Sequence, residues 1–331
     1  MSGTSPRLLV VVLNWRTADM SLRATRAAAT ALAGLDAEVV VVDNDSGDGS
    51  EAHLRAGVAK GLWPVPVRVV QSGRNGGFGA GMNAGIRTGR ADGMAPDYIY
   101  ILNSDAFPEA GAIRALVDHL EAHPEAGFAG SAIVGEDGAV HETAFRFPSA
   151  LSEFEGAVRF GPVTRMLSRR RVPMPVPRET GPVDWLSGAS LMMRTAVLDR
   201  IGLFDEGYFL YFEETDLCRR CAEAGHAVHY VAESRVMHLG SVSTGMSTWS
   251  QVPDYWFDSR WRYFEARGGR RAAAGATLAH LAGAALGRVK DAVKGVAPPR
   301  GLPGGVRMAR HALRRMRTPG HAAPSVKEPG T

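Results

Sequence analysis

Cysteine is scarce in this 331-residue chain, which contains only Cys218 and Cys221. Two cysteines three positions apart make neither a disulfide framework nor a four-ligand zinc site. We therefore predict buried structural thiols in a reducing cytoplasm. The residues from Met1 to Arg7 also lack the long apolar core of a signal peptide, so we expect a cytoplasmic protein.

Charge is nearly balanced over the whole chain but not along it. The chain has 38 Lys and Arg against 34 Asp and Glu, and its hydrophobic content of 45% is sufficient for a sizeable core. From Arg267 onward, however, 13 basic residues accompany only two acidic ones. A basic tail on an acidic body predicts attraction to an anionic surface. Nucleic acid is disfavoured as that surface because the tail has few aromatic residues for base stacking.

Short apolar runs alternate with helical segments along most of the chain. We predict strands at residues 8–13, 38–42, 67–71, 98–102, 128–134, 190–193 and 227–231, and helices at 19–35, 109–122, 215–224 and 255–266. This alternation predicts an α/β fold, with one Rossmann-like domain over residues 1–266 and a mixed central sheet flanked by helices. Within it, residues 145–182 have little regular pattern and are predicted to be a mobile loop or insertion.

Residues 267–331 form the basic tail, which is rich in Ala and Gly. We predict that it is part amphipathic helix and part disordered, with disorder beyond Pro298. Residues 272–296 place apolar side chains near helical spacing among Arg288, Lys290 and Lys294. This segment is too polar to span a bilayer, but its pattern suits the inner face of an anionic plasma membrane. A solvated helix followed by a disordered end is the alternative, and the sequence leaves both open.

Polar side chains stand where predicted strands end. Asp43 begins an Asp-Asn-Asp-Ser turn after the second strand, and Asp105 ends an Asn-Ser-Asp tripeptide after the fourth. Because open α/β sheets bind ligands at the carboxyl ends of their strands, we interpret the Asp43 carboxylate and the Asn44 amide as candidate hydrogen-bond partners of a pyrimidine base. Asp105 is well placed to bind a divalent cation beside a diphosphate. The alternative for both segments is an ordinary turn.

A glycine-rich stretch from Gly73 to Gly85 follows the third strand. Glycines let the backbone approach a ligand closely, and the N-terminus of a following helix favours anions. The stretch is neither a Walker loop nor a dinucleotide fingerprint, since no Gly-Lys-Ser/Thr follows and it does not come after the first strand. We predict ligand contact rather than a flexible turn, with Asn75 and Asn83 as hydrogen-bonding side chains.

His238 follows the last predicted strand. A lone histidine is more often structural than a ligand. Imidazole and carboxylate together nevertheless suit manganese or a similar metal, with Asp105 as the second ligand.

Three carboxylates, Glu213, Glu214 and Asp216, follow an aromatic-rich run at residues 208–212. Carboxylates beside large apolar side chains are costly to desolvate, so their pKa values rise. A carboxylate with a raised pKa can serve as a general base near neutral pH. The alternative is a helix start capped by Thr215 and Asp216, and both interpretations can hold together.

In order and spacing, these motifs resemble the family 2 inverting glycosyltransferases of the GT-A fold, and most closely the bacterial rhamnosyltransferase-like branch. The resemblance covers roughly residues 7–266. The segments that carry it are Val11–Trp15, Val41–Ser46, Asn75–Asn83, Leu102–Asp105, Trp185–Ala189, Phe204–Glu206, Tyr211–Leu217 and His238–Ser241.

The resemblance implies direct displacement of a sugar from a nucleotide-sugar donor, with Mn²⁺ or Mg²⁺ as cofactor. L-rhamnose from dTDP-rhamnose is the favoured donor sugar, and a hydroxyl of a glycan or of a polyprenyl-diphosphate-linked acceptor is the nucleophile. Two alternatives remain open: transfer of another deoxysugar or hexose, and a nucleotide-sugar-binding protein without catalysis.

The resemblance also implies roles for individual residues. Nucleotide-sugar contacts are implied for Asn14, Asp43, Asn75, Asn83, Asn103 and Asp105. Sugar or acceptor contacts are implied for Asp184, Trp185, Glu213 and Arg260. Asp105 and His238 match metal ligands, and Glu214 matches the catalytic base, where Asp is usual. Asn103 replaces the first Asp of the family's Asp-x-Asp motif.

Overall fold

The computed structural model describes residues 5–240, 252–296 and 304–317. The chain divides into two compact units, which we describe separately. Unit 1 comprises Met1–Phe147 and Pro173–Ser250, and unit 2 comprises Pro148–Val172 and Gln251–Thr331.

The strands all belong to unit 1, and the helices are shared between the units. The strands are β1 (Arg7–Asn14), β2 (Asp36–Asp43), β3 (Val67–Gln71), β4 (Tyr98–Asn103), β5 (Ala106–Pro108), β6 (Ala126–Val134), β7 (Ala144–Phe145), β8 (Gly181–Val183), β9 (Trp185–Leu186), β10 (Ser190–Arg194) and β11 (Ala227–His238). The helices are α1 (Ala18–Ala31), α2 (Ser50–Lys60), α3 (Phe78–Arg87), α4 (Ala112–Ala122), α5 (Ala150–Val158), α6 (Gly161–Met166), α7 (Thr195–Ile201), α8 (Glu213–Glu223), α9 (Asp254–Val293) and α10 (Gly304–Arg317). Helices α5, α6, α9 and α10 lie in unit 2.

The central sheet of unit 1 has the order β3-β2-β1-β4-β10-β6-β11-β5, with β8 paired to β11. Strands β1 to β4 are parallel, whereas β10 runs antiparallel to β4 and β6 and makes the sheet mixed. The predicted mixed α/β sheet is confirmed. The carboxyl ends of β1, β2, β3, β4, β6 and β11 therefore lie at one edge, together with the start of β10. The functional residues are found at this edge.

Apolar side chains of the strands alternate between two buried faces. Val10 belongs to the same buried cluster as Ile113 of α4, and Leu9 belongs to the other cluster, with Met82 of α3 and Leu217 of α8. Helices α1, α2 and α4 cover one face, and α3, α7 and α8 cover the other. Each fully buried Val or Leu contributes roughly 1.5–3 kcal/mol of transfer free energy, so helices on both faces make the sheet a rigid support.

Both cysteines lie on α8 and are buried as free thiols. Burial raises the pKa of the Cys218 thiol, and it raises that of Cys221 to about 12. Both thiols therefore remain protonated and pack as small apolar groups near neutral pH. This agrees with the prediction of structural thiols.

The segment predicted to be a mobile loop or insertion contains two helices, α5 and α6, in unit 2. Ser149 caps α5 by accepting a hydrogen bond from the amide of Ser152, and the Ser152 hydroxyl accepts one from the amide of Ser149. Such a reciprocal cap stabilises a helix start by about 1 kcal/mol. In the sequence this short cap is a weak signal, because the segment around it is dominated by prolines and arginines.

The basic tail contains more helix than predicted. Helix α9 is interrupted at Gly268 and Gly269, where Gly269 has φ = +67°, and it continues to Val293. Helix α10 covers residues that we predicted to be disordered; it buries Met308 and His311, and His311 Nε2 lies 2.8 Å from Asp258 Oδ1. Burial against α9 outweighs the low local hydrophobicity that favoured disorder. Residues 318–331, also predicted to be disordered, lie outside the described residues. No helix in the described ranges is long and apolar enough to cross a membrane.

Candidate active site

At the ends of β1, β2 and β3, two amide side chains donate hydrogen bonds to the buried carboxylate of Asp43. The register of β1 and β2 pairs Asn14 with Asp43, and Asn14 Nδ2 donates to Asp43 Oδ1 at 2.7 Å. Gln71 Nε2, at the end of β3, donates to Asp43 Oδ2 at 2.9 Å. The side chain of Asn14 is fully buried and its Oδ1 also accepts from the Ser21 hydroxyl at 2.8 Å. These contacts make Asn14 a residue that orients Asp43.

Asn44 supplies the amide side chain of the turn after β2, which the sequence indicated as a possible base contact. Its Nδ2 donates to Asn75 Oδ1 at 3.1 Å and to the Gly77 carbonyl at 3.2 Å. Its Oδ1 is buried and has no hydrogen-bond partner in the described part of the chain. Buried polar atoms in folded proteins are normally paired, so this oxygen is an unsatisfied acceptor beside Asp43. Its place next to Asp43, in the same turn, was the available signal.

The glycine-rich stretch is a close approach between two chain segments followed by a helix. Gly77 has φ = +90°, and a Cβ there would lie 1.8 Å from the carbonyl oxygen of Phe209. The Phe78 amide donates to that same carbonyl at 3.0 Å, and α3 begins at Phe78. Only glycine fits at residue 77. The stretch thus joins Asn75 to the loop that precedes the acidic residues.

Both polar atoms of the Asn83 side chain form hydrogen bonds within unit 1. Its Nδ2 donates to the Phe204 carbonyl at 2.8 Å, and its Oδ1 accepts from the Phe204 amide at 3.1 Å. Its Nδ2 also lies 3.1 Å from Glu206, which forms ion pairs with Arg74 at 2.8 Å and Arg87 at 2.7 Å. Asn83 therefore holds α3 against the loop after α7.

Asp105 and His238 meet because β5 pairs with β11, in a register that places Ala106 opposite His238. His238 Nε2 lies 3.0 Å from Asp105 Oδ1 and 3.3 Å from Asn103 Nδ2. The Asp105 side chain is 3% exposed and that of His238 is 18% exposed. No cluster of three His, Cys, Asp or Glu suited to a metal ion occurs among residues 5–240, 252–296 and 304–317.

The donor set at this point still fits Mn²⁺ or Mg²⁺ in its chemistry. Carboxylate and amide oxygens are hard ligands, and imidazole suits manganese. Asp105, Asn103 and His238 supply these groups within one contact network. A site with few protein ligands is typical of ions that keep water or bind substrate phosphates.

Helix α8 begins at Glu213 after two consecutive residues in the left-handed region. Tyr211 has φ = +69° and Phe212 has φ = +70°. Such backbone conformations cost of order 1–3 kcal/mol each in non-glycine residues and cluster at functional sites. No side chain caps the helix, so the predicted capping by Thr215 and Asp216 was wrong. Both residues lie inside the first turn, because the left-handed residues start the helix two residues earlier than predicted.

Glu213 and Glu214 carry the electrostatic signature that the sequence predicted. One oxygen of each carboxylate, Oε2, is buried and has no hydrogen-bond partner in the described ranges. Burial raises the pKa of Glu214, although hydrogen bonds from its own amide and from that of Gly188 oppose the shift. Burial and the neighbouring Glu214 raise the pKa of Glu213 well above its ordinary value. A partner-free carboxylate oxygen with a raised pKa can accept a proton from a ligand.

Asp216, the third carboxylate, has a structural role. Its Oδ2 accepts from Arg220 Nε at 2.8 Å, and the same guanidinium donates to the carbonyls of Ile201 at 2.7 Å and Leu203 at 2.8 Å. The pair therefore fixes α8 against the loop that follows α7.

Trp185 and Asp184 hold the short strand β9 in place. The Trp185 ring stacks on Phe145 with centroids 4.1 Å apart, and its Nε1 donates to the Arg146 carbonyl at 2.9 Å. Asp184 Oδ2 accepts from the Phe147 amide at 2.8 Å.

Arg260 lies in unit 2, where its side chain is 2% exposed. It forms an ion pair with Glu153 at 3.0 Å and donates to Thr277 Oγ1 at 3.1 Å. Its guanidinium is thus used within unit 2, in the arrangement of a structural ion pair. The resemblance implied a sugar or acceptor contact for Arg260, but the sequence could not reveal Glu153, which lies 107 residues away along the chain.

Backbone contacts gather the acidic residues and the cation candidates at one edge of the sheet. The Asn103 amide donates to the Ala189 carbonyl at 3.1 Å. Gly188 precedes Ala189 in the chain. A Cβ built at Gly188 would lie 3.3 Å from the Phe78 ring and 3.9 Å from Glu214 Cβ. The segment before β10 therefore contacts Asn103 on one side and Glu214 on the other. This edge of the sheet combines carboxylates of raised pKa, the contact network of Asp105, His238 and Asn103, and buried polar atoms without partners in the described residues.

Comparison with known proteins agrees with this arrangement. A family model described as "Glycosyltransferase like family 2" matches residues 6–267. An N-acetylglucosaminyl-diphospho-decaprenol L-rhamnosyltransferase of Mycobacterium tuberculosis is 34% identical over 215 residues, which are 62% of this chain and 68% of the relative. The rhamnosyltransferase WbbL of Escherichia coli is 28% identical over 142 residues, or 43% of this chain and 52% of the relative.

Among solved structures, the mannosyltransferase PcManGT of Pyrobaculum calidifontis, in complex with GDP-Man and Mn²⁺, is similar with a TM-score of 0.54. The identity is 16%, and the match covers 95% of this chain and 81% of that one, so this likeness concerns the fold. The family model covers most of the chain, and the fold and the relatives agree with it. The chain therefore belongs to the family 2-like glycosyltransferases and is a hexosyltransferase with the GT-A fold.

Proposed function

We propose that the protein is a metal-dependent inverting glycosyltransferase with Glu214 as its general base. It moves L-rhamnose from dTDP-rhamnose to a hydroxyl of a glycan on a polyprenyl-diphosphate carrier. The observation that carries the proposal is the buried, partner-free carboxylate oxygen of Glu214 at the same sheet edge as Asp105 and His238. The names of the two bacterial relatives support rhamnose, and that of the mycobacterial relative supports a lipid-linked acceptor.

The reaction balances as a single displacement. The acceptor oxygen forms a bond to the anomeric carbon as the bond from that carbon to the diphosphate oxygen breaks, and the configuration inverts. Glu214 takes the acceptor proton, and the nucleoside diphosphate leaves with the bonding electrons. The raised pKa of Glu214 makes it a stronger base than an exposed glutamate. Holding both substrates in line supplies much of the rate.

The remaining residues bind the donor. Asp43, with Asn44 and Asn75 beside it, lies where a nucleoside would be held by hydrogen bonds. Asp105, with His238 and Asn103, would hold the divalent ion. When bound, that ion supplies positive charge that stabilises the leaving diphosphate.

A donor panel tests this function. Full-length protein with Mn²⁺ and polyprenyl-diphosphate N-acetylglucosamine is given dTDP-rhamnose, dTDP-glucose, GDP-mannose or UDP-N-acetylglucosamine in separate reactions. We expect rhamnosylated product, identified by mass, with an anomeric configuration inverted relative to the donor in NMR spectra. Efficient transfer of another sugar would show that the donor assignment is wrong. Tight donor binding without transfer or hydrolysis would identify a binding protein instead.

We also propose that unit 2 binds the surface of an anionic membrane. Leu286, Val289 and Val293 follow one another at spacings of three and four on α9, and the last two are 61% and 83% exposed. The exposed cations Lys294 and Arg310 belong to the same unit. Apolar side chains among cations match a bilayer with anionic head groups.

Negative charge introduced into the apolar stripe formed by Leu286, Val289 and Val293 tests the proposed membrane contact. Val289→Asp with Val293→Asp should abolish most flotation of the full-length protein with vesicles that contain anionic lipid, because buried carboxylates oppose insertion. Leu62→Asp is the matched control, since Leu62 is 92% exposed and lies in unit 1. Equal flotation of the stripe variant and the control, or no flotation of the wild type, would contradict the proposal.

A further inference from the structure

Unit 2 contains a cavity of 610 Å³ that no part of the proposed reaction uses. Trp256, Phe257, Ala284 and Met308 supply apolar walls from α9 and α10. A volume of this size lies within the range of about 300–1,000 Å³ that is typical of small-molecule sites. Apolar walls of this kind accept a hydrocarbon chain.

Basic side chains stand among these walls. Arg159, Arg288 and His280 line the cavity. No ion pair of Arg159 or Arg288 is present in the described part of the chain, and both residues are exposed. Asp291, the acid in the lining, lies 3.1 Å from Lys290 and is thereby neutralised. Guanidinium groups bind phosphate oxygens in a bidentate manner, so two of them favour a phosphate or diphosphate group.

The packing of α5 on α9 fixes one of these cations. A Cβ at Gly283 would lie 2.4 Å from the Phe154 carbonyl oxygen, so the two helices touch through their backbones. Arg159 follows α5 with φ = +46°, and its carbonyl accepts from Lys290 Nζ at 2.6 Å. The backbone that carries the Arg159 guanidinium is therefore held beside the cavity.

We infer that this cavity binds an amphiphile made of an apolar chain and a terminal phosphate or diphosphate. The chain occupies the space between Trp256 and Met308, and the anionic group meets Arg159 and Arg288. A purely apolar ligand would leave both guanidinium groups without a partner, and an inorganic anion would leave the apolar walls uncovered. The further identification of the ligand with a polyprenyl-diphosphate acceptor rests on the proposed function, whereas the site itself does not.

Binding of geranylgeranyl diphosphate to full-length protein, measured by calorimetry, tests the site. We expect it to bind at least about tenfold more tightly than inorganic diphosphate or geranylgeraniol. Inorganic diphosphate can contact only the two arginines, and geranylgeraniol can contact only the apolar walls. Dihexanoyl phosphatidic acid, a phospholipid short enough to be soluble, is compared in parallel. Tighter binding of the prenyl compound assigns a prenyl ligand, and tighter binding of the lipid assigns a phospholipid; either result supports the site.

Variants locate the binding. Arg159→Gln and Arg288→Gln should each weaken binding of geranylgeranyl diphosphate by about tenfold, since each removes one charged hydrogen-bonding group. Arg271→Gln is the matched control, because Arg271 is exposed on the same helix and does not line the cavity. Ala284→Phe should block the cavity, with melting temperature as a check on folding. If that variant does not fold, the two arginine variants decide.

Three outcomes would overturn the inference: no binding by the wild type, equal binding of inorganic diphosphate, or arginine variants that bind like Arg271→Gln. Hydrolysis of dTDP-rhamnose without acceptor reports separately on the proposed function. Probe binding without any donor turnover would reject the proposed function and leave the site standing.

Discussion

Replacing Glu214 with glutamine should lower sugar transfer by about 10²–10⁴-fold, the usual contribution of a general base. Glutamine keeps the size of the side chain but cannot accept a proton. Donor affinity should stay close to that of the wild type, because Glu214 acts on the acceptor. Initial rates with saturating donor and acceptor, together with donor titration by calorimetry, measure the two effects.

The pH dependence gives this first prediction a second readout. Only ionised Glu214 accepts a proton, and burial raises its pKa. Transfer by the wild type should therefore fall as the pH drops through this raised value, above the range where an exposed glutamate titrates. Glu214→Asp, which restores a carboxylate, should recover part of the activity and a similar profile. Glu214→Gln should lose this dependence.

Matched variants test which of the neighbouring carboxylates on α8 is the general base. Glu223→Gln, at the other end of α8, should transfer sugar like the wild type. Glu213→Gln is the sharper comparison, because burial and the neighbouring Glu214 raise the pKa of Glu213 too, and we expect this variant to retain transfer. If Glu213→Gln loses transfer and Glu214→Gln retains it, Glu213 is the base and the assignment made above is wrong.

Replacing Asp105 with asparagine should weaken donor binding in Mn²⁺ by about tenfold or more, because a charged ligand of the ion becomes neutral. The donor affinity of Asp105→Asn in Mn²⁺ should approach the donor affinity that the wild type shows when a chelator has removed the ion. Direct titration with Mn²⁺ alone should show the same loss, which separates metal binding from catalysis. Donor affinity is measured by calorimetry with and without the ion.

Asp118→Asn, on the exposed side of α4, is the control for the second prediction. Asp105 also contacts His238, so melting temperatures are compared to show that the variant is folded. Unchanged donor affinity in Asp105→Asn, both with Mn²⁺ and with chelator, would remove Asp105 from the site.

The mixed α/β fold was predictable because its signal is local. Leu8–Val12 and Val39–Val42 are continuous apolar runs, and such runs indicate strands that are buried on both faces. Their polar ends, Asp43 and Asn103–Asp105, pointed to the ligand edge for the same reason. Helices α5 and α10 escaped prediction because a capping box and burial stabilise them, and not a strong apolar pattern.

Individual side-chain roles depended on contacts between distant segments. Asn83 and Asn75 are equivalent in sequence terms, yet Asn83 bonds to Phe204, which is 121 residues away. The sequence placed the Asn44 amide in the turn after β2, but only packing shows that its Oδ1 is buried without a partner in the described residues. Arg260 is equally uninformative until Glu153 lies beside it.

The sequence by itself therefore determined the alternation of strands and helices, the polar strand ends, the family resemblance and the acidic cluster at the start of α8. These features depend on neighbouring residues and on repeating patterns along the chain. The tertiary structure alone decided that Asp105 meets His238 across 133 residues and that Glu213 and Glu214 are buried without full partners. Strand register and desolvation arise only when distant segments pack, and both are needed to turn an acidic sequence into a candidate base.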